Sequence, residues 1–141
     1  MADTKSKEER RKNMAAIKSK NTKPELIVRK YLFSQGFRYR INVSSLAGKP
    51  DIVLSKYRTA IFINGCFWHL HKDCKYFVWP KDNAEYWKNK ILGNVERDKR
   101  NYDSLIAAGW KVIIIWECQL KHAKEETLTE LVKDIREGRV N

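Results

Sequence analysis

A chain of 141 residues, 43% of them hydrophobic, can bury roughly 70% of its unfolded surface as one domain and needs no disulfides to fold. Its 29 Lys and Arg against 17 Asp and Glu leave a formal charge of +12, which favours a polyanionic partner, nucleic acid first; no basic segment carries the strong apolar face that a membrane surface requires. An odd number of cysteines, no charged-then-apolar leader, and apolar runs far short of about 18 residues argue against a disulfide scaffold, a secreted protein and a spanning helix, so a soluble protein of the reducing cytoplasm is expected.

The chain opens with a basic arm, residues 1–20, in which Lys5, Lys7, Arg10, Arg11, Lys12, Lys18 and Lys20 surround one apolar patch, Met14 to Ile17. So little apolar surface cannot build a core, and the arm is expected to order on a partner. The compact unit, 21–141, begins with Thr22-x-Pro24-Glu25, a helix start continued by Leu26, Val28, Tyr31, Leu32 and Phe33 up to a stop at Gly36. Phe37 to Val43, Asp51 to Leu54 and Thr59 to Ile63 read as a three-strand meander, divided by a Gly48-Lys49-Pro50 turn and a Lys56-Tyr57-Arg58 hairpin.

Asn83 to Ala108 is predicted helical, with Tyr86, Trp87, Ile91, Val95, Tyr102, Leu105 and Ile106 facing inward and Gly109 as the stop. The run Val112 to Trp116 suits a strand buried on both faces, hence a central one in a mixed sheet covered by helices. Thr127 to Arg136 closes the chain as an amphipathic helix through Leu128, Leu131, Val132 and Ile135. Lys121 to Glu126, with His122, reads as a solvated loop, and Trp79, Trp87, Trp110 and Trp116 as core. The fold class is α/β: a single domain with a mixed central sheet flanked by helices.

Two patterns carry chemistry. Cys66-Phe67-Trp68-His69-Leu70-His71-Lys72-Asp73-Cys74 packs thiols, imidazoles and two large aromatics into nine residues, and Cys118, after the apolar run, can return beside them. Three thiolates with one imidazole, of His69 or His71, make a closed tetrahedral zinc site. Pro50-Asp51 at the start of the second strand suggests a nuclease core, in which a carboxylate placed where two strands diverge holds Mg²⁺ against a scissile phosphate. The usual companion in such cores, Glu-x-Lys on the next strand, is here Phe62-Ile63-Asn64.

Gly48-Lys-Pro-Asp51, Ile61-Phe-Ile-Asn-Gly-Cys-Phe-Trp-His69, Asn94-Val-Glu-Arg-Asp98, Gly109-Trp and Trp116-Glu-Cys118, in that order, together with Arg11-Lys-Asn-Met14 on the arm, resemble the Vsr family of very-short-patch-repair DNA mismatch endonucleases. The likeness spans about residues 9 to 135. It implies a restriction-endonuclease-like core, cleavage of duplex DNA 5′ to the thymine of a T:G mismatch left by deamination of 5-methylcytosine, Mg²⁺ for catalysis and Zn²⁺ for structure. By the same resemblance Asp51 and the main-chain carbonyl of Ile63 are Mg²⁺ ligands, Glu25 orders water around that metal, and His69, oriented by Asp98, activates the attacking water.

The family's zinc set falls on Cys66, His71, Cys74 and Cys118, with the interval from His71 to Cys74 one residue longer than in other members. Phe67 and Trp68 are implied to stack between base pairs from the major groove and Met14 to wedge from the minor groove, at an unstacking cost that is least at a weak pair. Asn64 stands where some members carry a second histidine, and an amide takes no proton. Lys88, Lys90, Arg97, Lys99 and Arg100 are candidates for phosphate contacts. The expected partners are mismatched double-stranded DNA and mismatch-repair proteins, with the chain acting as a monomer. Two other classes share some of these features: a zinc-stabilised DNA-binding module without catalysis, and a restriction-type endonuclease cutting matched DNA.

Overall fold

A computed structural model describes residues 23–72 and 74–137; the basic arm, with Met14, lies outside them. Helix α1 (Lys23–Ser34) turns Val28 and Leu32 inward at helical spacing and ends where predicted, Gly36 taking a left-handed φ of 88° while the Phe37 N–H donates back to the Leu32 carbonyl. Strands β1 (Arg40–Ile41), β2 (Ile52–Leu54) and β3 (Thr59–Asn64) follow, the last two joined by a short 3-10 turn, Ser55–Tyr57, with Arg58 left-handed. Helix α2 (Ala84–Ala107) is 24 residues long and stops at Gly109, whose φ is 92°. Strand β4 (Lys111–Trp116) and helices α3 (Glu117–His122) and α4 (Lys124–Glu137) complete the described chain.

The four strands lie in the order β1-β2-β3-β4, antiparallel except for the parallel pair β3 and β4. Alternation along β3 divides the core between two faces. Ile61 packs with Ile52, Leu54 and Ile115 against Val28 and Leu32 of α1 and Leu128, Leu131 and Ile135 of α4. Ala60 and Phe62 face the other way, onto Leu105 of α2, with Tyr102, Trp110 and Val112 beside them. The mixed sheet between helices is the predicted class.

Several expectations change. Strand β1 is two residues, not the seven of Phe37 to Val43, because Asn42 turns away with φ 49° and Phe37 leaves the sheet to pack edge-on against Tyr57 at 5.5 Å. Strand β4 closes one side of the sheet and is not central: β3 fills that place, and the apolarity of β4 reflects cover by helices above and below. Lys121 to Glu126 is not a loop, since its charges end α3 and begin α4 around a break at Ala123. On α2 only Ile91 and Leu105 are buried, while Tyr86 and Ile106 are exposed. None of Trp79, Trp87, Trp110 and Trp116 is fully buried, and Trp79 is open to solvent.

Candidate active site and metal centre

Asp51 sits at the entry to β2, where Pro50 and the turn Gly48-Lys49 deliver it beside β3. Gly48 has φ +76°, and a Cβ there would stand 3.0 Å from Cβ of Asn101 and 3.1 Å from the Phe62 ring, so both conformation and space require glycine. The ladder holds as far as Asp51 N–H to the Ile61 carbonyl, 3.0 Å; beyond it the Asp51 carboxylate takes over and accepts the Ile63 N–H at 2.7 Å. The N–H and carbonyl of one residue in a strand point to the same edge, so the Ile63 carbonyl shares the Asp51 side of β3.

Burial pushes the Asp51 carboxyl from 3.8 up to about 6, against the pull of the Ile63 N–H. The neighbouring Glu25 carboxylate adds to that rise, and His69 and Arg29 oppose it. Glu25 belongs to this neighbourhood because it shares the inner stripe of α1 with Val28 and Leu32. Arg29, one turn on, donates to it at 2.9 Å, both side chains being buried. A partly buried carboxylate with a second acidic group close by is a donor set of the kind that holds a hard dication. Sequence reasoning missed Arg29; its only signal was i, i+4 spacing from Glu25.

His69 follows the end of β3. Its Nδ1 lies 2.5 Å from Oδ2 of Asp98 on α2. Asn94, one turn before Asp98, donates its amide to the Trp68 carbonyl at 3.0 Å, so two residues on one face of α2 fix the loop that carries the imidazole. With Nδ1 committed to a carboxylate, Nε2 is the nitrogen free to accept a proton, as a general base requires. His69, Asp98 and Lys99 line a cleft of about 400 Å³ with Asn64 and Tyr102, at the C-terminal ends of the parallel strands.

Leu70 has φ 50°, a left-handed conformation that bulky residues rarely adopt. It turns His71 away from the dyad, onto the ring of Trp116 (4.1 Å between centroids, 7° between planes) and to 3.4 Å from Sγ of Cys118. Cys66, His71, Cys74 and Cys118 offer one ligand atom each, all within 4.8 Å of one another, a group that could hold a metal ion. Burial foremost pushes the Cys66 thiol up to about 12, the neighbouring thiols Cys118 and Cys74 reinforcing the rise. Three crowded sulfurs beside an imidazole suit a soft dication that stabilises thiolates.

Phe67 and Trp68 meet edge to face at 5.2 Å and are half-buried. Phe77 stacks on Phe67 at 5.5 Å, and Trp87 from α2 touches both rings, so an aromatic cluster adjoins the His69 cleft. Trp87, expected in the core, belongs to this cluster. Lys88, Lys90, Arg97, Lys99 and Arg100 are all exposed on α2. No helix among the described residues is long and apolar enough to cross a membrane.

The family described as DNA mismatch endonuclease Vsr matches residues 2–76. The chain is 51% identical over 127 residues to the type II nicking enzyme V.NmeAIP of Neisseria meningitidis serogroup A, covering 89% of this chain and 90% of that one. It is 42% identical over 137 residues to the DNA mismatch endonuclease Vsr of Escherichia coli K12, covering 95% and 87%. The type II nicking enzyme V.XorIIP of Xanthomonas oryzae pv. oryzae is 44% identical over 120 residues, 85% and 88% of the two chains.

Proposed function

The chain belongs to the Vsr family of DNA mismatch endonucleases, and from that premise we propose that this DNA endonuclease nicks one strand of a duplex 5′ to the thymine of a T:G mismatch arising from 5-methylcytosine deamination. The observation that carries the reading is the 2.5 Å contact of His69 with Asp98 beside the cleft, within electrostatic reach of the partly buried Asp51. His69 takes a proton at Nε2 from the attacking water while Asp98 holds the tautomer and the developing imidazolium; the water oxygen bonds to phosphorus as the phosphorus–oxygen bond to the sugar breaks, and the leaving oxygen takes a proton from solvent water. Asp51 and the Ile63 carbonyl would hold Mg²⁺, with Glu25 ordering water around it, and the ion would neutralise charge on the phosphate.

Cys66, His71, Cys74 and Cys118 would hold Zn²⁺ with no position left open, so this second metal stabilises the loop and takes no part in the chemistry. Rigidity there matters because Phe67 and Trp68 sit in the same loop, between the thiols and the base. The two rings stack between base pairs next to the mismatch. Unstacking costs a few kcal/mol per step and is cheapest at a weak pair, which gives the preference a physical source. Met14, on the arm outside the described residues, wedges from the minor-groove side. The acting form is a monomer in the cytoplasm, alongside mismatch-repair proteins.

The test is strand nicking of two labelled duplexes in Mg²⁺, one with a T:G pair in a methylated-cytosine-type context and one fully matched, by wild type and Asp51→Ala. Nicking 5′ to the mismatched thymine alone, lost in the variant, is expected. Equal cutting of both duplexes would instead assign a restriction-type activity, and binding without cutting a DNA-binding module.

A further inference from the structure

Asn64 is an unusual residue to find where it lies. It ends β3 at 4% exposure, on the face of the strand that otherwise carries Ala60 and Phe62 into an apolar cluster. A buried amide is costly unless it is bonded. Its Nδ2 donates to the phenolic oxygen of Tyr102 at 2.9 Å, and the Tyr102 ring is itself held edge-on by Phe62 at 4.9 Å. Among the described residues Asn64 is the only hydrogen-bond partner of that hydroxyl. Because the phenol accepts from Asn64, its own proton remains to be donated.

The hydroxyl's surroundings say where that proton can go. Tyr102 and Asn64 line the same cleft as His69, Asp98, Lys72 and Lys99, and the phenol feels the charges of both Asp98 and Asp51. It therefore shares the cleft of the histidine–aspartate pair and lies within electrostatic reach of the partly buried Asp51 carboxylate, the groups to which the reading above gives the attack on the phosphate. We propose that Tyr102, aimed by Asn64, donates a hydrogen bond to a non-bridging oxygen of the scissile phosphate, adding a neutral donor to the catalytic residues. The inference rests on that reading of the site but not on which duplex is cut. Burial pushes the phenol up to about 12, so it keeps its proton throughout the range in which histidine acts as a base. Asn64 touches no substrate and is a positioning residue.

Tyr102→Phe keeps the ring against Phe62 and deletes the donor. On whichever duplex the wild type nicks, T:G or matched, single-turnover cleavage is expected to slow by about 10- to 100-fold, up to the lower end of what deletion of an oxyanion donor costs, with DNA affinity unchanged. Phosphorothioate substitution at the scissile phosphate reads the contact directly. In the wild type one diastereomer slows cleavage without rescue by Mn²⁺, and that slowing collapses in Tyr102→Phe, where the bond is already gone. Asn64→Leu, which leaves the phenol but frees it to rotate, gives a smaller loss and a partial collapse, so the result does not hang on one variant's folding. Wild-type rates in Tyr102→Phe, or thio effects identical to wild type in both variants, would overturn the proposal. A wild type that prefers matched DNA overturns the mismatch reading and leaves this one standing, and a wild type that cuts neither duplex overturns both.

Discussion

The imidazoles of His69 and His71, separated by one residue, are held by unlike partners: Nδ1 of His69 meets the Asp98 carboxylate at 2.5 Å, and Nδ1 of His71 lies 3.4 Å from the Cys118 sulfur. In an extended segment residues i and i+2 would share a face. The left-handed Leu70 breaks that rule and assigns one histidine to each centre.

This division predicts separable losses. His69→Ala is expected to lower the nicking rate by about 10²- to 10⁴-fold, the range for removal of a general base, while the melting temperature stays near wild type. His71→Ala should do the reverse first, lowering metal content and melting temperature, with activity falling only as the loop loosens. Parallel measurement of bound zinc, melting and single-turnover nicking separates the two; equal melting losses in both variants would contradict the assignment.

The thiol set makes a stronger stability prediction. Structural zinc can contribute on the order of 10 kcal/mol of apparent folding free energy, and here the ligands join the loop that follows β3 to the start of α3. The double variant Cys66→Ser, Cys74→Ser should melt well below wild type and become indifferent to chelators, whereas chelation should lower the wild-type melting temperature. Unchanged melting of the double variant, with and without chelator, would remove zinc from the description.

Asp51 gives a pH dependence whose sign is fixed by its environment. Its carboxyl titrates at about 6 in the fold against 3.8 for the free side chain, so between those values the folded state binds more protons than the unfolded one. Stability of the metal-free protein from this group therefore falls as pH rises from about 4 to about 6, and the deficit is complete above the folded value. Asp51→Asn keeps an acceptor for the Ile63 N–H and removes the charge. It should be more stable than wild type at pH 7.5 without metal, by up to about 3 kcal/mol for a two-unit shift, yet inactive. Added Mg²⁺ should raise the melting temperature of wild type and leave the variant unmoved.

Motifs made part of the site legible where each residue's task is local. The thiols of Cys66 and Cys74 frame the histidine loop and suggested a metal group, and Pro50-Asp51 at a strand start suggested a nuclease core, while the roles of Asp51, Glu25, His69 and Asp98 came only from the family resemblance. Tertiary arrangement was less visible. Val112 to Ile115 is as apolar as a central strand because α2 covers one face and α3 and α4 the other, and period alone does not say whether another strand lies beside it. On α2, Tyr86 and Ile106 fit a helical pattern drawn too wide; only Ile91 and Leu105 of that stripe are buried. Arg29 escaped notice, and Tyr102 was read only as part of the inner face of α2, because their partners, Glu25 and Asn64, are a helical turn and 38 residues away, and composition marks neither pair.

Gly48 ties the turn to Asp51, the carboxylate proposed to hold the metal. An alanine there would have to hold φ near +76° and place its methyl 3.0 Å from Cβ of Asn101, and neither contact is with the free end of a long side chain. The left-handed conformation alone costs an L-residue roughly 1–2 kcal/mol, and the contact with Asn101 adds to it. Gly48→Ala should therefore destabilise the protein by about 2 kcal/mol or more, and because Asp51 is only three residues on, nicking should fall further than the folded fraction accounts for. Activity that tracks the folded fraction alone would mean the turn relaxes without moving Asp51.

Gly93 is the opposite case and completes the comparison. It lies inside α2 with a helical φ, and a Cβ there would meet nothing within 4 Å. Glycine in a helix interior costs about 1 kcal/mol relative to alanine, through the greater freedom that its backbone loses on folding. Gly93→Ala should raise stability by roughly 0.5–1 kcal/mol in denaturant unfolding, with the slope unchanged. The same variant tests whether this side of the helix meets DNA, since Gly93 directly precedes Asn94, which holds the Trp68 carbonyl. Greater stability with wild-type nicking would show that the glycine carries no contact with the substrate. Greater stability with weakened DNA binding would show that the duplex approaches the backbone of α2 at this residue, where only a hydrogen fits.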